Sequence, residues 1–227
     1  MFRRFVPLIA VAVVTLVGVS ASAQTILFAN VNNQSEVPPT NPTLQNGQPR
    51  PASFGTALFI LNAAQTEMTM DTTMFNIDFT GTQTADPNDN LLNAHIHAGP
   101  NVTPSTNGGV VWGFFGAPQN TADDVVVTPF ATGVGGRITA TWDAAEGNNT
   151  TLAAQLTHLL NNRAYINFHT TQFGGGEARG NIGVVPEPSA VALLGAAGAA
   201  EAYQLPGTAL LLPTAAVCFR YRVRVIA

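Results

Sequence analysis

The sequence predicts an all-β protein of about nine short strands with one short helix, arranged as an antiparallel β-sandwich or barrel. Short runs rich in β-branched and aromatic residues recur along the chain, and Gly-, Asn- and Pro-rich segments separate them. No long helical pattern alternates with these runs, which disfavours a parallel α/β sheet. The chain has 227 residues, 46% hydrophobic and 10% charged, which is sufficient for one domain with a core and argues against disorder.

Each strand is predicted from apolar residues that alternate with polar ones or form a short β-rich run. In the third strand the alternation changes parity between Met70 and Phe75, which predicts a β-bulge near residues 72–74. Four leucines at helical spacing predict one amphipathic helix over residues 151–160. The predicted strands cover residues 25–31, 52–61, 68–79, 91–97, 110–115, 125–130, 137–142, 164–169 and 178–184.

The charge of the central region bears on its partners. Residues 24–185 contain four arginines and eleven acidic residues, a net charge of −7. This sign opposes nucleic-acid binding, which depends on basic residues at phosphates. The single cysteine, Cys218, excludes an intramolecular disulfide, so the fold depends on its core.

The first 23 residues have the pattern of a secretory signal peptide. Arg3 and Arg4 are followed by an almost wholly apolar run over residues 6–19. Small residues then precede a predicted cleavage between Ala23 and Gln24. The alternative is an uncleaved membrane anchor, for which the apolar run is short. We therefore expect export, with a mature chain that begins at Gln24.

The C-terminal segment, residues 185–227, combines Pro186, Glu187 and Pro188 with an apolar run and a basic end. This order resembles the bacterial PEP-CTERM sorting signal. The resemblance implies an exosortase-type enzyme as partner, transient membrane insertion of the segment and delivery to the cell surface or matrix. The alternative for the proline pair alone is a rigid linker.

The tail departs from that pattern in its apolar run. Residues 191–200 are only about 15 Å long as a helix, whereas a span needs roughly 20 residues. Glu201, Tyr203, Gln204 and Pro206 interrupt the run, and the second apolar stretch, residues 205–219, itself carries Pro206 and Pro213. Three explanations stay open: a broken hydrophobic segment, a degenerate tail or a reading-frame error.

Four motifs of the central region occur in a recognisable order. They are Glu36-Val37-Pro38-Pro39, AHIHAG at 94–99, YINFHT at 165–170 and GEARG at 176–180. Together they resemble the CHRD domain, named for chordin, over roughly residues 26–182. The resemblance implies a secreted, Ig-like/Greek-key β-sandwich over residues 24–184, without an assigned reaction. Extracellular polysaccharide or surface proteins are then its expected partners.

Three histidines in these motifs are candidate metal ligands. His95 and His97 are two apart, so on a strand both project from one face, and His169 ends a strand that could lie beside them. Imidazole nitrogens suit copper and zinc, and Glu177 is a candidate fourth ligand or supporting residue. The alternative is structural: such histidines can hydrogen-bond backbone carbonyls and hold loops in place.

The remaining charged motif residues predict an ion pair. Glu177 and Arg179 lie two apart on a strand, and Arg179 is also expected to meet Glu36.

Taken together, the motifs and the two ends of the sequence predict an exported surface or matrix protein with a non-catalytic binding or structural domain. The alternative is a copper- or zinc-binding protein, or a superoxide-dismutase-like enzyme, although only His158 remains as a further histidine ligand.

Overall fold

The computed structural model describes residues 23–121 and 124–186. The predicted signal peptide up to residue 22 lies outside the described residues, as does the predicted sorting segment from Glu187 onward, including Pro188.

The helix α1 is Leu152–Leu160, and short 3-10 helices occur at Asn33–Ser35 and Pro87–Asp89. The strands are β1 Thr25–Asn32, β2 Phe54–Leu61, β3 Glu67–Phe75, β4 Leu91–Ala98, β5 Gly109–Phe115, β6 Val126–Pro129, β7 Gly135–Asp143, β8 Ala164–Thr170, β9 Ala178–Asn181 and β10 Gly183–Val184.

All ten strands belong to one sheet, in the order β5-β4-β8-β9-β1-β2-β3-β7-β6, with β10 paired to β1. Each pairing between these strands is antiparallel. Strands distant in the chain are neighbours, such as β9 with β1 and β3 with β7. These connections are consistent with the expected Greek-key arrangement.

The sheet curls so that its two ends face each other across the core. Trp112 on β5 and Trp142 on β7 lie near opposite ends of the strand order, yet their rings stack 5.3 Å apart and within 5° of parallel. Both side chains are fully buried. A sheet closed in this way buries its inner face as a sandwich does. The prediction of an all-β, sandwich-like fold of about nine strands and one short helix is confirmed.

The change of parity in the third strand has a different origin from the predicted bulge. Strand β3 pairs with β2 and β7 in unbroken register through Phe75. Asn76 follows with a φ of 64°, in the left-handed region, and ends the strand. Ile77 and Phe79 are buried beyond this turn. The bulge prediction was wrong because a single left-handed asparagine shifts the alternation.

The helix and the last strand follow their predictions closely. Thr151 caps α1 by accepting a hydrogen bond from the N–H of Ala154, and Leu152 and Leu159 are buried beneath the helix. The predicted strand over residues 178–184 is divided at Ile182 into β9 and β10. Within the described part of the chain, no helix is long and apolar enough to span a membrane.

Strands β4 and β8 carry different side chains on their two faces. Ala94, Ile96, Ile166 and Phe168 point into the core. The opposite face, which we call the histidine face, carries His95 and His97 on β4 and Tyr165, Asn167 and His169 on β8. All five are buried, because loops cover this face as well. The sheet therefore has a hydrophobic inner layer and a buried polar layer outside it.

Candidate metal centre

The three candidate histidines meet on the histidine face. The ring centroids of His95 and His169 are 5.0 Å apart, those of His95 and His97 5.9 Å, and those of His97 and His169 6.1 Å. One nitrogen from each ring lies within 4.8 Å of the other two. The predicted arrangement, an H-x-H strand joined by a histidine from a neighbouring strand, is therefore present.

Each imidazole is fixed through its other nitrogen by a loop carbonyl. His95 Nε2 lies 3.0 Å from the carbonyl oxygen of Ala117, and His97 Nδ1 lies 2.9 Å from that of Gly108. His169 Nδ1 lies 3.0 Å from the carbonyl of Gly174. A carbonyl only accepts, so these nitrogens carry the proton.

The remaining nitrogens, His95 Nδ1, His97 Nε2 and His169 Nε2, are buried and have no hydrogen-bond partner. In a neutral imidazole the nitrogen opposite the N–H carries a lone pair. Each of the three imidazoles therefore has a buried lone pair that accepts no hydrogen bond. Metal-bound histidines typically donate their second N–H to a carbonyl or carboxylate, and these three have that arrangement.

The environment keeps the three rings neutral. Burial lowers the pKa of His95 to about 4, and neighbouring His169 contributes in the same direction. Burial likewise lowers the pKa of His97 to about 4, against the hydrogen bond to Gly108. Burial also lowers the pKa of His169. At neutral pH all three have the protonation state that binds metal.

A glycine in β5 allows a loop to reach His95. Gly113 is the partner of His95 in the β4–β5 pairing. A Cβ atom at this position would lie 1.8 Å from the carbonyl oxygen of Pro118 and 3.2 Å from Cδ2 of His95. Only glycine admits the loop at this distance, and the same loop supplies the Ala117 carbonyl that fixes His95.

Tyr165 and Arg179 support His97 from the side. The rings of His97 and Tyr165 stack within 5° of parallel at 4.6 Å, and the guanidinium of Arg179 lies 3.6 Å from the centroid of the tyrosine ring. Arg179 also donates to the carbonyl of Thr103 and to the Asn107 side chain, in the loop that presents Gly108. Arg179 therefore fixes both the stacked rings and the loop that orients His97.

Glu36 lies on the other side of the histidine face. It accepts a hydrogen bond of 2.6 Å from Asn167 Nδ2 and one from the N–H of Val37. Its charge acts on Arg179 and His169 electrostatically. The expected contact of Arg179 with Glu36 is therefore indirect. The two charges interact electrostatically, and Asn167, the cross-strand partner of Arg179, donates a hydrogen bond to Glu36.

Glu177 has a different partner from the one predicted. Its carboxylate forms a buried ion pair with Arg50 and accepts hydrogen bonds from Ser53 and Thr170. The predicted ion pair with Arg179 is corrected accordingly. The carboxylate is occupied by these groups, so Glu177 is a structural residue and does not join the histidine group.

The residue types fit a copper or zinc ion. Nitrogen donors at about 2.0–2.1 Å from a tetrahedral ion lie roughly 3.3–3.5 Å apart, so nitrogens within 4.8 Å of one another need to approach by about 1.5 Å at most. Among the described residues the group contains three histidines and no carboxylate, which disfavours magnesium and calcium. His158 lies on α1, outside the group, so the additional ligand that a superoxide-dismutase-like site would need is not supplied by it.

The sequence predicted that the three histidines lie together but gave few of the groups around them. The signal for Tyr165 and Asn167 was present, because the period of two places both on the face that carries His169. The loop carbonyls and Arg50 had no such signal, since backbone groups and distant partners leave no pattern in the sequence.

Comparison with known proteins agrees with the motifs. No curated protein and no solved structure matches the chain. Residues 27–182 match the CHRD domain family, and this segment includes all four motifs and the three histidines. The chain therefore belongs to the CHRD domain family.

Proposed function

We propose that this protein is exported to the bacterial cell surface or extracellular matrix, where its CHRD domain binds one copper or zinc ion through His95, His97 and His169. CHRD is generally a non-catalytic domain, so the proposed role is binding. One observation carries the metal site: one nitrogen from each of the three imidazoles lies within 4.8 Å of the other two, each ring donates its N–H to a backbone carbonyl, and the second nitrogen of each ring is buried without a partner.

This observation supports the metal site over the structural alternative. A histidine that serves only to hold a loop needs one hydrogen bond, and its second nitrogen is normally solvated or paired. Here the second nitrogens are all buried and unpartnered, and the three rings are grouped so that one nitrogen of each lies within 4.8 Å of the other two. A metal ion satisfies all three, whereas one proton satisfies only one or two of them.

We expect the protein, purified without chelator or added metal, to contain about one copper or zinc ion per chain by elemental mass spectrometry. Substituting any of His95, His97 or His169 by alanine should weaken binding of the added ion about 100-fold or more in competition with a chromogenic chelator, because a two-nitrogen site remains. His158→Ala is the matched control and should bind as the wild type does. Equal affinity in all four variants, or a folded protein that binds neither metal, would contradict the proposal.

The export part of the proposal is supported by the sequence of the two ends. A charged start, an apolar run and small residues precede Gln24, and the Pro-Glu-Pro motif and apolar runs follow Val185. We expect cell fractionation to place the intact protein at the surface or in the matrix. Glu187→Ala should shift it to the membrane fraction, because the motif for processing is lost. An identical distribution of both proteins would remove the sorting role.

A further inference from the structure

A fourth buried acceptor without a partner lies on the histidine face, on the strand that carries His169. Asn167 is the cross-strand partner of His95 and lies two residues before His169, on the same face. Directly opposite residues in an antiparallel pair have Cβ atoms about 5 Å apart, so the amide adjoins the proposed metal site. Asn167 is 2% exposed, and its Oδ1 has no hydrogen-bond partner.

The orientation of this amide is determined by its neighbour. Asn167 Nδ2 donates to Glu36 Oε2 at 2.6 Å, and a carboxylate accepts but does not donate. The opposite orientation would place two acceptors against each other. Oδ1 is therefore fixed as an acceptor without a donor, and such buried groups are rare unless a water or ligand satisfies them.

We propose that the metal ion retains a fourth, open coordination position, occupied by a water molecule that donates a hydrogen bond to Asn167 Oδ1 and exchanges with small anions. This inference rests on the proposed metal site. A metal ion and its water satisfy all four acceptors together: the ion takes the three nitrogen lone pairs, and the water proton takes Oδ1. Asn167 is then a positioning residue for the bound water, and Glu36 holds its amide.

The charge of the site indicates which ligands replace the water. Three neutral imidazoles bring no negative charge to the ion. The charges that act on the rings from outside are opposite in sign: Arg179 acts on His97 and Glu36 acts on His169. The ion with its three histidines therefore keeps a net positive charge. An exchangeable ligand that brings negative charge, such as hydroxide or azide, is favoured electrostatically over a neutral one.

A cleft is lined by Glu36, the hydrogen-bond partner of Asn167. It has a volume of about 470 Å³ and lies between residues 36–40 and residues 172–176. Gly176 forms part of its wall, and a Cβ atom there would lie 2.6 Å from Asn167 Oδ1 and 2.7 Å from Glu36 Oε2. The proposed route of small ligands to the open position runs through this cleft, past Gly176.

Azide titration of the full-chain protein loaded with copper(II) tests the proposal. We expect the loaded wild type to show inner-sphere water by proton relaxation, and azide to displace it with a change in the electron paramagnetic resonance spectrum. Asn167→Leu has a similar shape but no acceptor. It should keep the copper and bind azide about fivefold more tightly, because the competing water has lost a hydrogen bond. Asn101→Leu, the same substitution at an exposed loop position, is the control and should behave as the wild type.

The outcomes separate the two proposals. If the protein binds no metal, the proposed function fails and this inference fails with it. If copper binds but there is no inner-sphere water and azide changes nothing, the position is closed and only this inference is overturned. Equal azide affinity in wild type and Asn167→Leu would remove the role of Asn167. Should Asn167→Leu not fold, the wild-type measurement still decides whether the position is open.

Discussion

Replacement of Glu177 by alanine is expected to destabilise the domain by about 3–5 kcal/mol, because it leaves a buried arginine without its counter-ion. The side chains of Glu177 and Arg50 are 0% and 2% exposed. Without the carboxylate, Arg50 retains hydrogen bonds to the Asn76 carbonyl and to Ser53, while its charge stays buried. The effect is measured as the free energy of unfolding in urea at pH 7.

Asp71→Ala is the matched control for this prediction. Asp71 forms a two-point ion pair with Arg137, at 2.7 Å for each contact, on the exposed surface. Such a pair contributes little, because solvent screens it and both side chains lose freedom. A loss for Glu177→Ala no larger than that for Asp71→Ala would contradict the prediction. The double variant Glu177→Ala, Arg50→Ala should lose less stability than the sum of the losses of the two single variants, because it leaves neither charge buried without a partner.

The ion pair also shows where sequence reasoning reaches its limit. Arg50 lies 127 residues before Glu177, in a segment that reads as a Pro-, Asn- and Gly-rich loop. The sequence offered Arg179 as a partner because it is near in the chain and has the right charge. In the folded domain the segment before β2 returns to the residues just before β9, where Asn33 and Thr40 also donate hydrogen bonds to the Glu177 carbonyl. The ion pair of Glu177 therefore forms with Arg50, which the folded loop brings close, and not with Arg179, which is close along the chain.

The histidine face was more predictable than this network. A period of two requires His95 and His97 to share a face, whatever the register of their strand. The pairing of β4 with β8, which brings His169 across, rests on a connection of more than sixty residues and has no local signal. The burial of both faces was also unpredictable, because it depends on loops that fold over Asn167 and its neighbours.

Acidification of the metal-free protein is expected to destabilise it strongly between pH 6.5 and pH 4. The folded-state pKa of His95 and of His97 is lowered from 6.5 to about 4, chiefly by burial. The unfolded chain therefore binds protons first as the pH falls, so stability is present above pH 6.5 and is lost toward pH 4. Both side chains are less than a tenth exposed, and each should cost about 2–3 kcal/mol between pH 7.5 and pH 4.5. Urea unfolding at the two pH values measures the loss.

The double variant His95→Gln, His97→Gln distinguishes this effect from general acid denaturation. Asp71, whose pKa is lowered by its hydrogen bond to Arg137, stays charged throughout this window and contributes little to the slope. The double variant should therefore lose much less stability over the same interval, whereas an equal slope in both proteins would contradict the assignment. With saturating copper or zinc, the stability of the wild type should fall more steeply as the pH is lowered, because protonation of the rings also releases the ion. The metal then stabilises the fold only while the three rings are neutral, which couples the proposed binding to the same protonation that weakens the domain.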